Sequence, residues 1–359
     1  MKNICIVQNS IKTVYIFRLL YIKKLIDLGY TVVVIAPRDC EDSYSKLKEL
    51  GIILPIKKVT KNTTSKISTI VSLNYYVLKY RMKGFHIICH FLVTFLLTYF
   101  TLVPFNKKLS VSVEGLGSIF IGNDLYLAIL RFVFRCGKFT KIFCNDDERR
   151  LLGNQTDTVI NGIGVDLKRF RRTNHNAYTD CYHLLYVGRL ISDKGVNDVI
   201  NVFRMLVNKG HNVRLRLVGD IYPRNPSSLS YDEIDKFKEE FNDKIEFLGF
   251  RHDIEKIYQS SHVLLLPSKR EGFPVCVMEA SACGIPTVSY SVPGSKDAIT
   301  RNLNGVLVDY GDLEKLYFSI VGLLDADVLA SYADSCHNYA SNYFDNNKQV
   351  DKFLGCILG

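Results

Sequence analysis

Apolar residues fall along this chain in short unbroken runs, separated by stretches in which they recur at helical spacing. "NICIVQN" opens the series, "VYIFRLLYIKKLIDLG" follows with apolar positions three and four apart, and "YTVVVIAP" closes a βαβ unit. Gly29 stands at the helix stop and Pro37 just beyond the second strand. Strands "HIICHF" and "KLSVSV", helix "DLYLAILRFVFRCG" and strand "KIFCN" continue the alternation. "TNHNAYTD" (173–180) is polar and aperiodic, as a linker is. A second series then runs "HLLYVG", "GVNDVINVFRMLVNKG", "VRLRLVG", "YDEIDKFKEEF", "KIEFLG", "RHDIEKIYQSS", "HVLLLP", "IPTVSY" and "GVLVDY". Two blocks of alternating elements predict an α/β protein of two doubly wound, Rossmann-like parallel-sheet domains facing across a cleft. The expected boundaries are 1–172, a linker at 173–180, 181–341, and a C-terminal helix at 342–359 packing back on the first domain. Ligands of such sheets bind outside the carboxyl ends of the strands.

Length agrees, since 359 residues exceed one ordinary core. Charge sharpens the picture. Residues 1–173 hold 27 Lys+Arg against 12 Asp+Glu, whereas the remainder holds 19 against 24. A basic first half calls for an anionic partner. No helix-turn-helix, zinc-finger or RNA-binding pattern is present, so nucleic acid ranks last and a phosphorylated substrate or an anionic membrane surface first. Lys57, Lys58, Lys61, Lys107 and Lys108 are the expected membrane-facing cations, flanking Gly84–Asn106, which has no Lys, Arg, Asp or Glu. That stretch approaches transmembrane length. His86, His90 and its threonines read against a span and for a buried strand plus helix, with a face dipping into a membrane as the second reading. The ten cysteines form no C-x-x-C pair or zinc spacing, and "MKNICIVQNS" reads as no cleavable signal, so reduced thiols in a cytosolic protein are expected.

Two stretches carry candidate chemistry. "YVGRLISDKG" sets Gly188, Arg189 and Lys194 in a loop running from a strand end into a helix, where backbone and two cations can meet a diphosphate. "REGFPVCVME" sets Glu271 in the loop after the strand "HVLLLP", then turns through Gly272, Phe273 and Pro274 into the next helix at Val275. Pro274 suits that helix's first turn, whose N–H groups can face phosphate oxygens. Glu279 follows Val275 by four residues on the same face, with two oxygens able to accept from both hydroxyls of a ribose. Glu271 can accept from sugar hydroxyls and stabilise positive charge at an anomeric carbon. "NDDE" (145–148) lies at a strand end of the first domain, apart from this loop, and no metal is assigned to it.

"YVGRLISDKG" followed by "LPSKREGFPVCVMEASACGIPTV" resembles the retaining nucleotide-sugar glycosyltransferases of GT-B fold, family 4 type. The family's two glutamates, with seven residues between them, fall on Glu271 and Glu279, and its donor-phosphate cations on Arg189 and Lys194. "VINGIGVDLKRF" and "VPGSKDAI" resemble its flanking segments, and "SVEGLGSIF" and "IFCNDDE" its members that extend bacterial lipid-linked surface polysaccharides such as O-antigen or capsule. The resemblance covers nearly the whole chain. It implies transfer, with retention and without a metal or other cofactor, of a hexose or N-acetylhexosamine from a nucleotide diphosphate sugar, UDP-linked, to a polyprenyl-diphosphate-linked glycan. The setting implied is peripheral, on the inner face of the cytoplasmic membrane. On the acceptor side it points to His90, Glu114 and Gly117. The chain departs from the family in a first loop, "QNSIKTVYIFR", without glycine, in Cys89 at the position of a common histidine, and in Thr94-Phe95 where Lys-Pro is frequent. Two alternatives stay open: a non-hydrolysing sugar-nucleotide epimerase on the same fold, and an inactive member that only binds sugar nucleotide.

Overall fold

The structure, a computed structural model, describes residues 2–56, 63–102, 108–116, 124–173, 181–223 and 225–359. It divides into two compact units, Met1–Ile160 with Val350–Gly359, and Asn161–Gln349. The division thus falls ahead of the polar 173–180 stretch, of which only Thr173 is described.

In the first unit, strands β1 (Asn3–Val7), β2 (Thr31–Ile35), β3 (His86–His90), β4 (Leu109–Val113), β5 (Thr140–Phe143) and β6 (Thr158–Val159) form a parallel sheet of order 2-1-3-4-5-6. Its helices are α1 (Ile11–Asp27), α2 (Glu41–Glu49), α3 (Thr63–Met82), α4 (Leu92–Leu97), α5 (Tyr99–Leu102), α6 (Asp124–Cys136) and α7 (Asp146–Leu152). The runs are unbroken because both sheet faces are covered, and alternate residues feed two cores. Cys5 and Val7 pack with Leu73 and Val77 of α3, Phe95 of α4, Leu102 of α5 and Phe134 of α6. Ile4 and Ile6 point the other way, to Ile22 and Leu25 of α1 and to Phe353, Leu354 and Ile357 near the chain's end.

The uncharged stretch is read above as a strand and one buried helix. Its described part, to Leu102, holds a strand and two short helices, broken at Thr98, whose hydroxyl donates to the Thr94 carbonyl at 2.7 Å. Nor is it wholly buried: Phe95 is at 0% exposure, but Phe100 is at 87%. Among the described residues, no single helix is long and apolar enough to cross a membrane.

The second unit has β7 (Tyr182–Val187), β8 (Val213–Val218), β9 (Ile245–Gly249), β10 (Val263–Leu266), β11 (Thr287–Tyr290) and β12 (Gly305–Val308) in the order 12-11-10-7-8-9, all parallel. Around it lie α8 (Val196–Asn208), α9 (Tyr231–Phe241), α10 (Ile254–Gln259), α11 (Val275–Ala282), α12 (Ser295–Ala298), α13 (Leu313–Val321) and α14 (Ala326–Tyr343). The last helix, α15 (Asn346–Leu358), lies mostly in the first unit from Val350 onward. From β7 the chain winds outward through β8 and β9, then returns to β7's other side as β10. The loops after β7 and β10 therefore diverge from two neighbouring strands, the opening at which doubly wound sheets bind ligands.

Candidate functional site

The loops after β7 and β10 carry the basic and acidic stretches singled out in the sequence. Strand pairing sets Leu184 beside Val263 and Leu185 beside Leu264, so the two strand ends emerge side by side. Backbone then clamps the loops together. The Lys269 N–H donates to the Asp193 carbonyl at 3.0 Å, and the Ser268 hydroxyl to the Lys194 carbonyl at 3.4 Å. Gly195 permits this approach. Its φ is +76°, and a Cβ there would lie 2.0 Å from the Pro267 carbonyl oxygen. Gly294 closes the other side, where a Cβ would meet the Glu271 carbonyl oxygen at 2.4 Å.

The clamp brings the side chains of Lys194 and Glu271 into a partly buried ion pair, Nζ to Oε2 at 2.6 Å. A lysine has three N–H donors, so Lys194 can hold Glu271 and still meet a phosphate oxygen. Arg189 is not part of this pair. It is exposed, with its guanidinium 5.6 Å from the centre of the Tyr222 ring. Beneath it, Gly188 lies against Tyr186, whose hydroxyl donates to the Arg189 carbonyl at 2.7 Å. Pro274 is the residue preceding α11, not a member of its first turn, and Gly195 has the same place before α8. Neither helix start receives a side-chain cap, whereas Ser230, Asp312 and Asp325 cap α9, α13 and α14. Two helix N-termini therefore offer backbone donors to an anion beside Lys194.

Glu279, one turn into α11, accepts at Oε2 from the Tyr258 hydroxyl at 2.9 Å. Burial pushes its carboxyl up to about 7, against the lowering effect of that hydrogen bond. Phe273 is buried and packs against Gly162, where a Cβ would meet its ring at 2.6 Å. Sequence reasoning did not single out Tyr258, Gly195 or Gly294. A glycine just before a helix, or after a strand whose neighbour bears the site, was the available signal for the two glycines.

The acceptor-side residues lie at the corresponding opening of the first sheet, between β1 and β3. His90 ends β3 and is fully buried. Its Nδ1 faces the Glu114 carboxylate at 2.9 Å and its Nε2 the Tyr21 hydroxyl at 2.8 Å. Burial, then the nearby Arg18 charge, pushes the imidazole down to about 4 despite Glu114. The neutral ring thus donates from Nδ1 and accepts at Nε2. Burial alone would raise the Glu114 carboxyl, but the bonded Arg18 guanidinium and His90 hold it well below its usual range. Ser112 donates a further bond to Glu114 at 2.9 Å, and Gln8 accepts from Arg18 at 3.1 Å. Phe353 of α15 stacks on the His90 ring. His90 is therefore enclosed, and only Glu114 keeps an exposed edge. Gly117 lies outside the described residues.

Two doubly wound parallel units, the second with cations and carboxylates at its strand-order reversal, give the chain the GT-B fold of glycosyltransferases. Residues 168–342 match the family model described as glycosyl transferases group 1. Over 347 residues, 88% of each chain, it is 27% identical to an N,N'-diacetylbacillosaminyl-diphospho-undecaprenol alpha-1,3-N-acetylgalactosaminyltransferase of Campylobacter jejuni. It is 28% identical to the capsular polysaccharide biosynthesis glycosyltransferase CapM of Staphylococcus aureus over 46% of this chain, a match that spans only 44% of CapM. Among solved structures, Anabaena HepE in complex with UDP and glucose superposes with a TM-score of 0.79 at 16% identity, covering 100% of both chains.

Two outcomes follow from this geometry. Glu114→Ala strands the buried Arg18 charge and should cost about 3–5 kcal/mol in urea unfolding followed by circular dichroism. The double variant Arg18→Met/Glu114→Leu should recover most of that loss. For Glu279, a ligand hydroxyl donates best to the ionised carboxylate, so affinity should rise with pH. With the carboxyl at about 7, any affinity that depends on a ligand hydroxyl donating to Glu279 should increase about tenfold from pH 6 to pH 8 by calorimetry, and Glu279→Gln should flatten the rise.

Proposed function

We propose that this protein is a retaining glycosyltransferase acting in surface polysaccharide biosynthesis. It moves a hexose or N-acetylhexosamine from a UDP-linked sugar to a polyprenyl-diphosphate-linked glycan at the inner face of the cytoplasmic membrane. The observation that carries the reading is the Lys194–Glu271 pair, clamped beside the uncapped starts of α8 and α11. The likeness to the C. jejuni transferase, whose name specifies a diphospho-undecaprenol acceptor, supports the acceptor class. The UDP and glucose in HepE support the donor.

In this reaction the bond from the anomeric carbon to the diphosphate oxygen breaks, and the electron pair leaves with the nucleoside diphosphate. The acceptor oxygen bonds to the same face of that carbon, and its proton passes to the departing phosphate oxygen. Lys194, Arg189 and the N–H groups around Phe273–Val275 meet the growing diphosphate charge, assisted by the close backbone approach that Gly188 and Gly272 allow. The proposal assigns no metal to this step. Glu279 holds the ribose. Glu271, oriented by Lys194, accepts from sugar hydroxyls and stabilises positive charge at the anomeric carbon. On the acceptor side Glu114 presents its exposed edge, with His90 as a positioning residue behind it and Gly117 beside it in sequence.

Glu271→Ala should lower turnover about 10²–10³-fold while leaving nucleotide affinity nearly intact. Near wild-type transfer to a polyprenyl-diphosphate glycan, followed by mass spectrometry, would remove Glu271 from the mechanism. Lys194→Ala and Arg189→Ala should each weaken binding of the nucleoside diphosphate by roughly 1.5–3 kcal/mol, the worth of a charged hydrogen bond. Unchanged affinity in both variants points to a diphosphate bound elsewhere, and a changed sugar nucleotide without acceptor points to epimerisation.

A further inference from the structure

The helices on one face of the first sheet are apolar on both sides. α6 sends Leu130 and Phe134 into the core, while Leu125, Ile129 and Phe132 form an exposed row on its outer side. α3 does the same: Leu73 and Val77 are buried, and Ile67, Val71, Tyr75, Leu78 and Met82 follow one another at turn spacing on the surface. Phe100 of α5 stands between the two sets in sequence at 87% exposure, with Met82 at 77% and Phe132 at 70%. All these helices pack their inner residues into one core, so their outer sides face away from the same side of the sheet. A surface helix of a soluble domain has a polar outer side, and exposed apolar rows on neighbouring helices mark an interaction site.

Charge identifies the partner. Between Glu49 and Glu114 the chain, including all of α3, α4 and α5, has no Asp or Glu, yet it has nine Lys and Arg. At the end of α6, Arg135 follows Phe132 by one turn on the same exposed side. It lines a cavity of about 350 Å³ with Arg149, Arg150 and Asn154. Arg149 and Arg150 share one carboxylate, Asp146, and among the described residues three arginines and no carboxylate line the cavity itself. A second protein seldom offers a wide apolar area ringed by anions, whereas an anionic bilayer does.

We propose that the outer faces of α3, α5 and α6 insert into the surface of an anionic lipid bilayer, with the Arg135–Arg149–Arg150 cavity receiving a lipid phosphate headgroup at the edge. This deepens the membrane setting of the proposed function and rests on it, while its test reads binding separately from turnover. It differs from attraction by surface lysines alone. Lys57, Lys58, Lys61 and Lys107 lie outside the described residues, and Lys108 is exposed with its Nζ 3.4 Å from the Gly84 carbonyl. Charge alone is screened within about 3 Å at 1 M salt, whereas apolar insertion persists.

The test is co-sedimentation with phosphatidylcholine vesicles, with and without phosphatidylglycerol. Wild type should bind the anionic vesicles and keep a substantial bound fraction at about 1 M salt. Val71→Ser/Phe100→Ser/Phe132→Ser, all at exposed sites, should bind at least tenfold more weakly at either salt, with unchanged turnover on a short water-soluble acceptor. Arg135→Glu should lower binding to anionic vesicles several-fold and leave the salt-resistant part. The chain has no tryptophan, so Phe100→Trp gives a clean probe. Its emission should shift to the blue with anionic vesicles, and that of Phe318→Trp, exposed on α13, should not. Full release of wild type by salt, wild-type binding by the triple variant, or a lipid-free dimer that the triple variant splits would each overturn the proposal. Loss of turnover with binding intact would instead count against the transferase reading.

Discussion

The second unit depends on one constraint: two loops must leave adjacent parallel strands and yet be held within hydrogen-bonding distance of each other. Parallel strands diverge in their connections wherever the strand order reverses, which opens a gap. Here the gap is narrowed by backbone, through the Lys269–Asp193 bond and the side-chain-free approaches at Gly195 and Gly294. Only because the main chain closes in do Lys194 and Glu271 meet, and only because Gly195 and Pro274 lack capping side chains do two helix starts remain available beside them. Site chemistry and backbone geometry are one arrangement.

Much of this was legible in the sequence. Strands such as "TVVVI" and "VLLL" are β-branched or leucine-rich runs buried on both faces, and nothing competes with that signal. The glutamates at 271 and 279 were legible because one lies just past such a strand and the other one turn into the helix that follows. What remained hidden depended on neighbours distant in sequence. That Lys194 pairs with Glu271 whereas Arg189 turns out over Tyr222 is decided by the strand order, which local pattern does not encode. Tyr258 reaches Glu279 from another helix, and no spacing announces it.

The first unit was harder to read because its apolar residues serve two purposes. A helix apolar on both sides has no clear amphipathic period, so α3, rich in Ser, Thr and Tyr, went unremarked, and the uncharged stretch looked more buried than it is. His90 and Glu114 show the opposite case. Polar residues at strand ends invite a functional reading, yet the histidine is sealed by Tyr21, Glu114 and Phe353. Its contribution is to fix the one carboxylate that keeps an edge toward solvent.

That seal has a consequence for how the protein is made. Phe353, Leu354 and Ile357 complete a core whose other members run from Ile4 to Ile160, all of them synthesised before the second unit. Nascent chains generally fold from the amino terminus as each domain emerges. Here the first unit's sheet waits, with the ring of His90 uncovered, until the whole of the second unit has been translated. The unit made earlier is thus the later to be finished, and a ribosome that stops short of Val350 releases a protein with an open core.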